Sequence, residues 1–193
     1  MRCVQYLFAL LILTGHAFGA STTFRYVPAL WSQIAAASLP TTANHLVCYD
    51  WTESEGITNA TKIGWSMDSG ASTACSVTIY DAGGANIVRT SGTKNCSSAS
   101  APISATGLTA FSLTAGNQYR LCWCNNGTTG GLRSVSGWTS TTGLEVDLHN
   151  VFTTHIGRAA NDCTAGAAPS STGSLTADIF LRPPLVLLGT DTP

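Results

Sequence analysis

The stretch F-S-L-T-A-G-N-Q-Y-R-L-C-W-C, residues 111–124, contains two runs of alternating apolar and polar side chains, joined by T-A-G-N at residues 114–117. Alternation with a period of two is typical of strands that place one face in a core, and a glycine-containing turn between two such runs predicts a β-hairpin. In the second run Tyr119, Leu121 and Trp123 share one face, because successive side chains of a strand point in opposite directions. We expect this aromatic face to lie in the core.

The opposite face of the same run carries Arg120, Cys122 and Cys124. Two cysteines that are neighbours on one face of one strand are poorly placed to bond each other. We therefore predict that Cys122 and Cys124 belong to different disulfides and reach other strands or loops.

Composition excludes some classes of partner. Charged residues make up 10% of the 193 residues, against about 25% in an average globular domain. The chain contains 20 Ser and 27 Thr, a composition that favours strands with hydroxyl-bearing outer faces. A net charge of −1 with only two lysines indicates no nucleic-acid partner. Such a surface stays soluble through hydroxyls, attached glycans or burial in an assembly, and the last suits a structural subunit.

The first 19 residues are typical of a secretory signal peptide. Arg2 precedes an apolar run at residues 6–13, and the small residues Ala17 and Gly19 fit a signal-peptidase site. The run is much shorter than the roughly 20 residues that span a bilayer. We expect a mature protein that is extracellular or at the cell surface, with no membrane segment after signal removal.

Removal of Cys3 with the signal leaves six cysteines: Cys48, Cys75, Cys96, Cys122, Cys124 and Cys163. An even number in an oxidising compartment predicts three disulfides, although the sequence does not choose among the connectivities. Their spacing matches no zinc site. We expect no metal and no cofactor.

The mature chain divides into an N-terminal arm, residues 20–40, and a domain, residues 41–193. The arm carries Phe24, Tyr26, Leu30 and Trp31 and ends at Pro40. It either packs across its own domain or inserts into a neighbouring molecule as an added strand. With the apolar segment 185–188 near the other end, which would close a sheet edge or cover another subunit, the arm predicts self-association through terminal segments.

The domain shows short alternating segments at the spacing of an all-β, antiparallel β-sandwich held by disulfides. We predict a hairpin of residues 75–80 and 86–90 around the glycine turn at 81–85, because glycine accepts positive φ there. Other strands are predicted at residues 45–51, 62–67, 132–138, 144–152 and 176–181, and long loops at 95–107 and 157–174.

A family resemblance rests on residues 63–64, the segment S-V-T-I-Y-D at 76–81, Ile87-Val88, L-T-A-G at 113–116 and Y-R-L at 119–121. These segments resemble the jelly-roll-type β-sandwich modules of bacteriophage tail-associated and secreted bacterial proteins. The resemblance implies a jelly-roll-like fold and a non-catalytic surface or virion module. It transfers no functional residue to this chain.

Two groups of polar residues could carry chemistry. Glu145, Asp147 and His149 alternate along L-E-V-D-L-H and would share one strand face, as a metal or acid–base site or simply as a solvated face. Asp50, Glu53 and Glu55 would form an acidic loop, for calcium or for solvent alone. There is no G-x-S-x-G motif, and the S-x-x-K match at residues 91–94 lacks its companion motifs. We expect no enzyme, and no catalytic, cofactor-binding or metal-binding residue.

Three sequons and one tryptophan are features that relate to glycans. Asn59, Asn95 and Asn126 begin N-glycosylation sequons, where about two are expected by chance in this composition. Trp138, next to Gly137, is the best candidate for an exposed ring that stacks on sugars. The leading hypothesis is a secreted structural or assembly subunit of an extracellular surface structure, filament or virion. The alternative is a carbohydrate-binding module.

Overall fold

The computed structural model describes residues 24–27, 34–40, 43–53, 55–69, 72–98, 102–127, 131–135, 156–177 and 186–190. These residues form 15 strands and a short 3-10 turn at Ala82–Gly84. The strands are β1 (Phe24–Val27), β2 (Ile34–Pro40), β3 (Val47–Thr52), β4 (Ile57–Ala60), β5 (Lys62–Ser69), β6 (Ser72–Tyr80), β7 (Ile87–Thr90), β8 (Lys94–Cys96), β9 (Pro102–Ala105), β10 (Phe111–Leu113), β11 (Gln118–Asn125), β12 (Gly131–Val135), β13 (Ile156–Ala159), β14 (Leu175–Ala177) and β15 (Val186–Gly189).

The strands form two large antiparallel sheets. Sheet I has six strands in the order β1-β15-β5-β12-β2, with β9 also paired to β5. Sheet II has seven strands in the order β14-β13-β3-β11-β6-β7, with β8 also paired to β6. β4 and β10 form a separate two-stranded ladder. The prediction of an all-β, antiparallel fold is confirmed.

The core lies between the two sheets. The rings of Trp65 on β5 and Trp123 on β11 meet edge to face with centroids 6.2 Å apart, so sheet I and sheet II share one apolar interior. Within sheet II the rings of Tyr119 and Trp51 lie with centroids 5.6 Å apart, tilted by 40°. Tyr119, Leu121 and Trp123 all belong to this buried cluster. The predicted inward face of β11 is therefore confirmed. The sandwich is confirmed as well, because side chains from the two facing sheets build one core.

The predicted hairpin of residues 111–124 is wrong. The turn forms, with the Asn117 N–H donating to the Thr114 carbonyl at 3.2 Å, but the strands on its two sides do not pair. β11 uses one edge for β3 and the other for β6, and β10 pairs with β4 instead. Because each strand has only two edges for ladder hydrogen bonds, β11 has none left for β10.

Other predicted boundaries also need correction. Residues 95–107 are not a loop, because they contain the last residues of β8 and all of β9. Segment 185–188 does not close an edge, since β15 lies between β1 and β5. These strands have three or four residues, too few for a period of two to be recognised. The predicted pairing of β6 with β7 is confirmed.

The segment predicted as an arm supplies two strands to sheet I. β1 pairs with β15 from Phe24↔Gly189 to Val27↔Val186, and β2 pairs with β12 from Pro40↔Gly131 to Ile34↔Val135. The described part of the arm thus continues the sheet of the domain. Residues 1–19, assigned to the signal peptide, and the whole of the strand predicted at 144–152 lie outside the described residues.

The six cysteines pair as Cys48–Cys122, Cys75–Cys96 and Cys124–Cys163. Cys48 and Cys122 stand opposite each other in the β3–β11 ladder, with Cα atoms 4.1 Å apart. Cys122 and Cys124 belong to different bridges, as predicted. Three disulfides are typical of proteins that fold in an oxidising compartment.

Candidate functional site

The outer face of sheet II is buried rather than solvated. Cys48, Tyr80, Cys122 and Cys124 pack there with Leu46 in a second apolar cluster, separate from the core between the sheets. Residues 160–174, which connect β13 to β14, lie over this cluster through Cys163 and Ala168. We call this segment the cover loop. It turns the second face of sheet II into an additional packed layer.

Arg120 on β11 links sheet II to the cover loop. Its guanidinium makes a two-point ion pair with Asp50 on the neighbouring strand β3, Nε to Oδ1 at 2.6 Å and Nη2 to Oδ2 at 2.9 Å. The two residues are partners in the β3–β11 ladder. Both side chains are about nine-tenths buried, with 8% and 11% exposed. A paired guanidinium and carboxylate in this geometry satisfy each other's charge and hydrogen-bonding needs.

The remaining donors of Arg120 bind the cover loop and the 3-10 turn. Nη1 donates to the Thr172 hydroxyl at 2.7 Å, to the Gly173 carbonyl at 3.1 Å and to the Gly83 carbonyl at 2.9 Å. The Thr172 N–H donates in turn to the Gly84 carbonyl at 2.9 Å. One side chain therefore joins strand β3, the 3-10 turn and the cover loop.

Gly84 makes this close approach feasible. It has φ of +77°, and a Cβ added there would collide with the Thr172 hydroxyl and approach Arg120 Nη1. Positive φ and the lack of space both select glycine. The prediction that the glycines of this turn adopt positive φ is confirmed. Gly84 also permits a tertiary contact, the close approach of Thr172.

Two further contacts hold the cover loop at its middle. The Tyr80 hydroxyl donates to the Pro169 carbonyl at 2.6 Å, and the Cys163 N–H donates to the Asn44 carbonyl at 2.8 Å. Burial raises the pKa of Tyr80 well above its ordinary value, so the hydroxyl keeps its proton. The disulfide Cys124–Cys163 adds a covalent tie to β11.

These contacts engage Arg120 within the fold. Each of the three guanidinium nitrogens donates to a protein oxygen, and the side chain is buried. Asp50 was predicted to lie in an acidic loop, but it is a strand residue engaged with Arg120. The sequence indicated only that Arg120 shares a face with Cys122 and Cys124. No local signal marked Asp50 and Thr172 as its partners.

Glu53 is also not part of a solvated acidic loop. Its side chain is 1% exposed, and its Oε1 accepts the backbone N–H groups of Glu55 and Gly56 at 3.0 Å each. Burial, and secondarily the charge of Glu53, raise the pKa of Tyr49 well above its ordinary value. Among the residues that the structure describes, no three His, Cys, Asp or Glu side chains form a group that could hold a metal ion.

The tryptophans divide between core and undescribed segments. Trp51, Trp65 and Trp123 are buried, with exposures of 6%, 4% and 0%, so none offers a ring face to a sugar. Trp138 and the row Glu145, Asp147 and His149 lie outside the described residues. Trp138 therefore remains the candidate ring for the carbohydrate-binding alternative.

The three sequon asparagines have different surroundings. Asn59 on β4 and Asn95 on β8 are exposed, whereas Asn126 is half-buried beside the first residues of β6. No helix within the described ranges has the length and apolar character needed to cross a bilayer.

Compared with protein-family models, with curated proteins and with solved structures, the chain has no significant match. The resemblance to jelly-roll modules of phage tail-associated and secreted bacterial proteins therefore stays a prediction.

Proposed function

We propose that this chain is a secreted, non-catalytic structural subunit that assembles through its terminal strands into an extracellular surface structure, a filament or a virion. The observation that carries the proposal is the pairing of the N-terminal strand β1 with the C-terminal strand β15 along four residue pairs. Both chain ends thus meet in one sheet. The ladder that joins them is made of backbone hydrogen bonds, which any strand of the same register can supply.

Strand exchange follows from this geometry. Among the described strands, β1 and β2 are the two ends of the strand path of sheet I, where β1 pairs with β15 and β2 with β12. An arm that leaves its own sheet and enters a neighbour's would remake the same ladder bonds. Such a head-to-tail contact is heterologous, and it produces a filament unless the rotation closes a ring.

Three disulfides and the cover loop support a structural role. The bridges cross-link sheet II and its outer layer, while residues 24–27 and 34–40 contain no cysteine. The domain can therefore stay folded while the arm exchanges. A disulfide-bonded body with an uncrosslinked terminal strand suits a subunit that must be robust outside the cell.

The test uses the register of the β1–β15 ladder. In Tyr26→Cys/Leu187→Cys the new cysteines face each other, so a disulfide between them reports which molecule supplied the arm. We expect a ladder of covalent oligomers on a non-reducing gel, and filaments by negative-stain microscopy of the unmodified protein. The single variants Tyr26→Cys and Leu187→Cys control for mispairing with native cysteines.

The contrary result is equally clear. If the double variant gives only the crosslinked monomer, and light scattering finds the unmodified protein monomeric at high concentration, the arm belongs to its own domain and the assembly role fails.

A further inference from the structure

The three sequons differ in what the folded chain leaves available for modification. A sequon asparagine is modified at its side-chain nitrogen Nδ2, and the folded protein must then carry a bulky, hydrated oligosaccharide at that atom. The side chain must therefore be exposed, and the strand bearing it must tolerate a large substituent. These conditions separate Asn59 and Asn95 from Asn126.

Asn95 meets both conditions although its sequon includes a disulfide cysteine. On β8 the burial alternates, with Asn95 exposed and Cys96 fully buried in its bridge to Cys75. Successive side chains of a strand point in opposite directions, so the glycan and the bridge would occupy opposite faces. The Asn95 side-chain oxygen Oδ1 accepts the Ser97 N–H at 3.0 Å, so this bond does not use Nδ2.

Asn59 is likewise exposed on β4, next to the fully buried Ala60. Its backbone has φ of +53°, a region that asparagine tolerates better than most residues. Its backbone N–H donates to the Ser112 hydroxyl at 3.2 Å. The side chain is thus displayed by a backbone that the structure holds in place.

Asn126 makes hydrogen bonds that hold β6 and β11 together. Its Oδ1 accepts the Ala74 N–H at 2.9 Å, its Nδ2 donates to the Thr73 hydroxyl at 3.1 Å, and its own N–H donates to the Ala74 carbonyl at 2.9 Å. These bonds continue the β6–β11 ladder beyond Cys75↔Asn125. A glycan on Nδ2 would be attached to the same nitrogen that donates to Thr73 in this arrangement.

We propose that the mature protein is N-glycosylated at Asn59 and Asn95 and left unmodified at Asn126. In each transfer, Nδ2 attacks the anomeric carbon of a lipid-linked diphospho-oligosaccharide. The C–N bond forms, the bond from that carbon to the phosphate oxygen breaks, the lipid diphosphate leaves, and Nδ2 loses one proton to a base. No oxidant or reductant is needed. The inference rests on the proposed secretion, because the reaction occurs in the secretory pathway.

A consequence links the glycans to assembly. β8 pairs with β6 in sheet II, on the side where β7 also lies, whereas the terminal ladders belong to sheet I. A glycan on Asn95 would hinder strand addition at β8, since a bulky hydrated group protects an edge from further pairing. Assembly would then be directed to sheet I.

The experiment expresses the full chain in a eukaryotic cell that performs N-glycosylation, and analyses total protein from cells and medium. An amidase that removes N-glycans converts each modified Asn to Asp, and peptide mass spectrometry then identifies the sites. We expect conversion at Asn59 and Asn95 and none at Asn126. Conversion at Asn126, or its absence at Asn59 or Asn95 in a form that enters the secretory pathway, would overturn the proposal.

Matched variants change the sequon while keeping the asparagine. Ser97→Ala and Thr61→Ala should each remove one glycan, whereas Ser97→Thr, Thr61→Ser and Thr128→Ala should leave two. A second form replaces residues 1–19 with an established signal peptide. Glycans at both sites in that form alone would refute secretion by the native leader while supporting the site assignment.

Discussion

Arg120 is the side chain on which the outer layer of sheet II depends. We expect Arg120→Ala to lower the free energy of unfolding by about 3–5 kcal/mol, because removing one partner leaves the Asp50 carboxylate buried without its countercharge. Denaturant unfolding measures the change. Arg158→Ala on β13 is the control, since Arg158 is exposed, and its effect should stay within about 0.5 kcal/mol. A loss below about 1 kcal/mol for Arg120→Ala would contradict the stabilising role given to the Arg120–Asp50 pair.

Gly84 and Gly83 form a matched pair for testing close packing. Both have φ of +78° or +77°, so alanine brings similar backbone strain at either position. A Cβ at Gly83 meets nothing within 4 Å, whereas one at Gly84 collides with Thr172. We expect Gly84→Ala to cost roughly 1–3 kcal/mol more than Gly83→Ala in thermal or denaturant unfolding, the usual range for overpacking. Equal effects would show that Thr172 moves aside freely.

Because the Tyr80 hydroxyl is buried, we expect the stability of the fold to fall at alkaline pH. Its pKa in the folded protein lies above the ordinary value of 10.0 because burial disfavours the phenolate. Its contribution is therefore complete below about pH 10 and is lost as the pH rises from there toward the folded-state pKa. Tyr80→Phe should be less stable at neutral pH, through the lost bond to Pro169, but should decline less steeply above pH 10. Parallel pH profiles would contradict this explanation.

At the scale of elements, the cover loop should loosen without unfolding the sandwich. In Cys124→Ser/Cys163→Ser the tie to β11 is gone, although Arg120 and Tyr80 still hold the loop. We expect amide hydrogen exchange in residues 160–174 to accelerate, while exchange in β11 stays slow. Cys75→Ser/Cys96→Ser is the control, because that bridge joins β6 to β8 and should leave the loop unchanged. Faster exchange throughout sheet II would mean that loop and sheet unfold together.

For the whole molecule, the three bridges should account for much of the stability. Each is expected to contribute about 2–4 kcal/mol, chiefly by restricting the unfolded chain. Full reduction should therefore lower the melting temperature by tens of degrees in a protein of this size. Scanning calorimetry with and without reductant measures the shift. A fall of less than about 10 degrees would show that packing alone maintains the fold.

The amino-acid sequence by itself determined the class of fold and the faces of its central strand. Alternation along residues 118–124 is a local property, and a strand has only two faces, so Tyr119, Leu121 and Trp123 had to share the core. The same reasoning separated Cys122 from Cys124 into different bridges. The prediction of three disulfides followed from the six cysteines that remain when Cys3 is removed with the predicted signal peptide.

Tertiary structure decided which segments meet. Nothing local to Arg120 specifies Asp50, 70 positions earlier in the chain, or Thr172, 52 positions later, because those contacts arise only when β3, β11 and the cover loop pack together. The pairing of β11 with β3 and β6 overruled the local turn signal for the same reason, since a strand edge bonded to one neighbour cannot bond another. The connectivity of the six cysteines likewise required the folded arrangement, in which Cys48 stands opposite Cys122 and the cover loop brings Cys163 to Cys124.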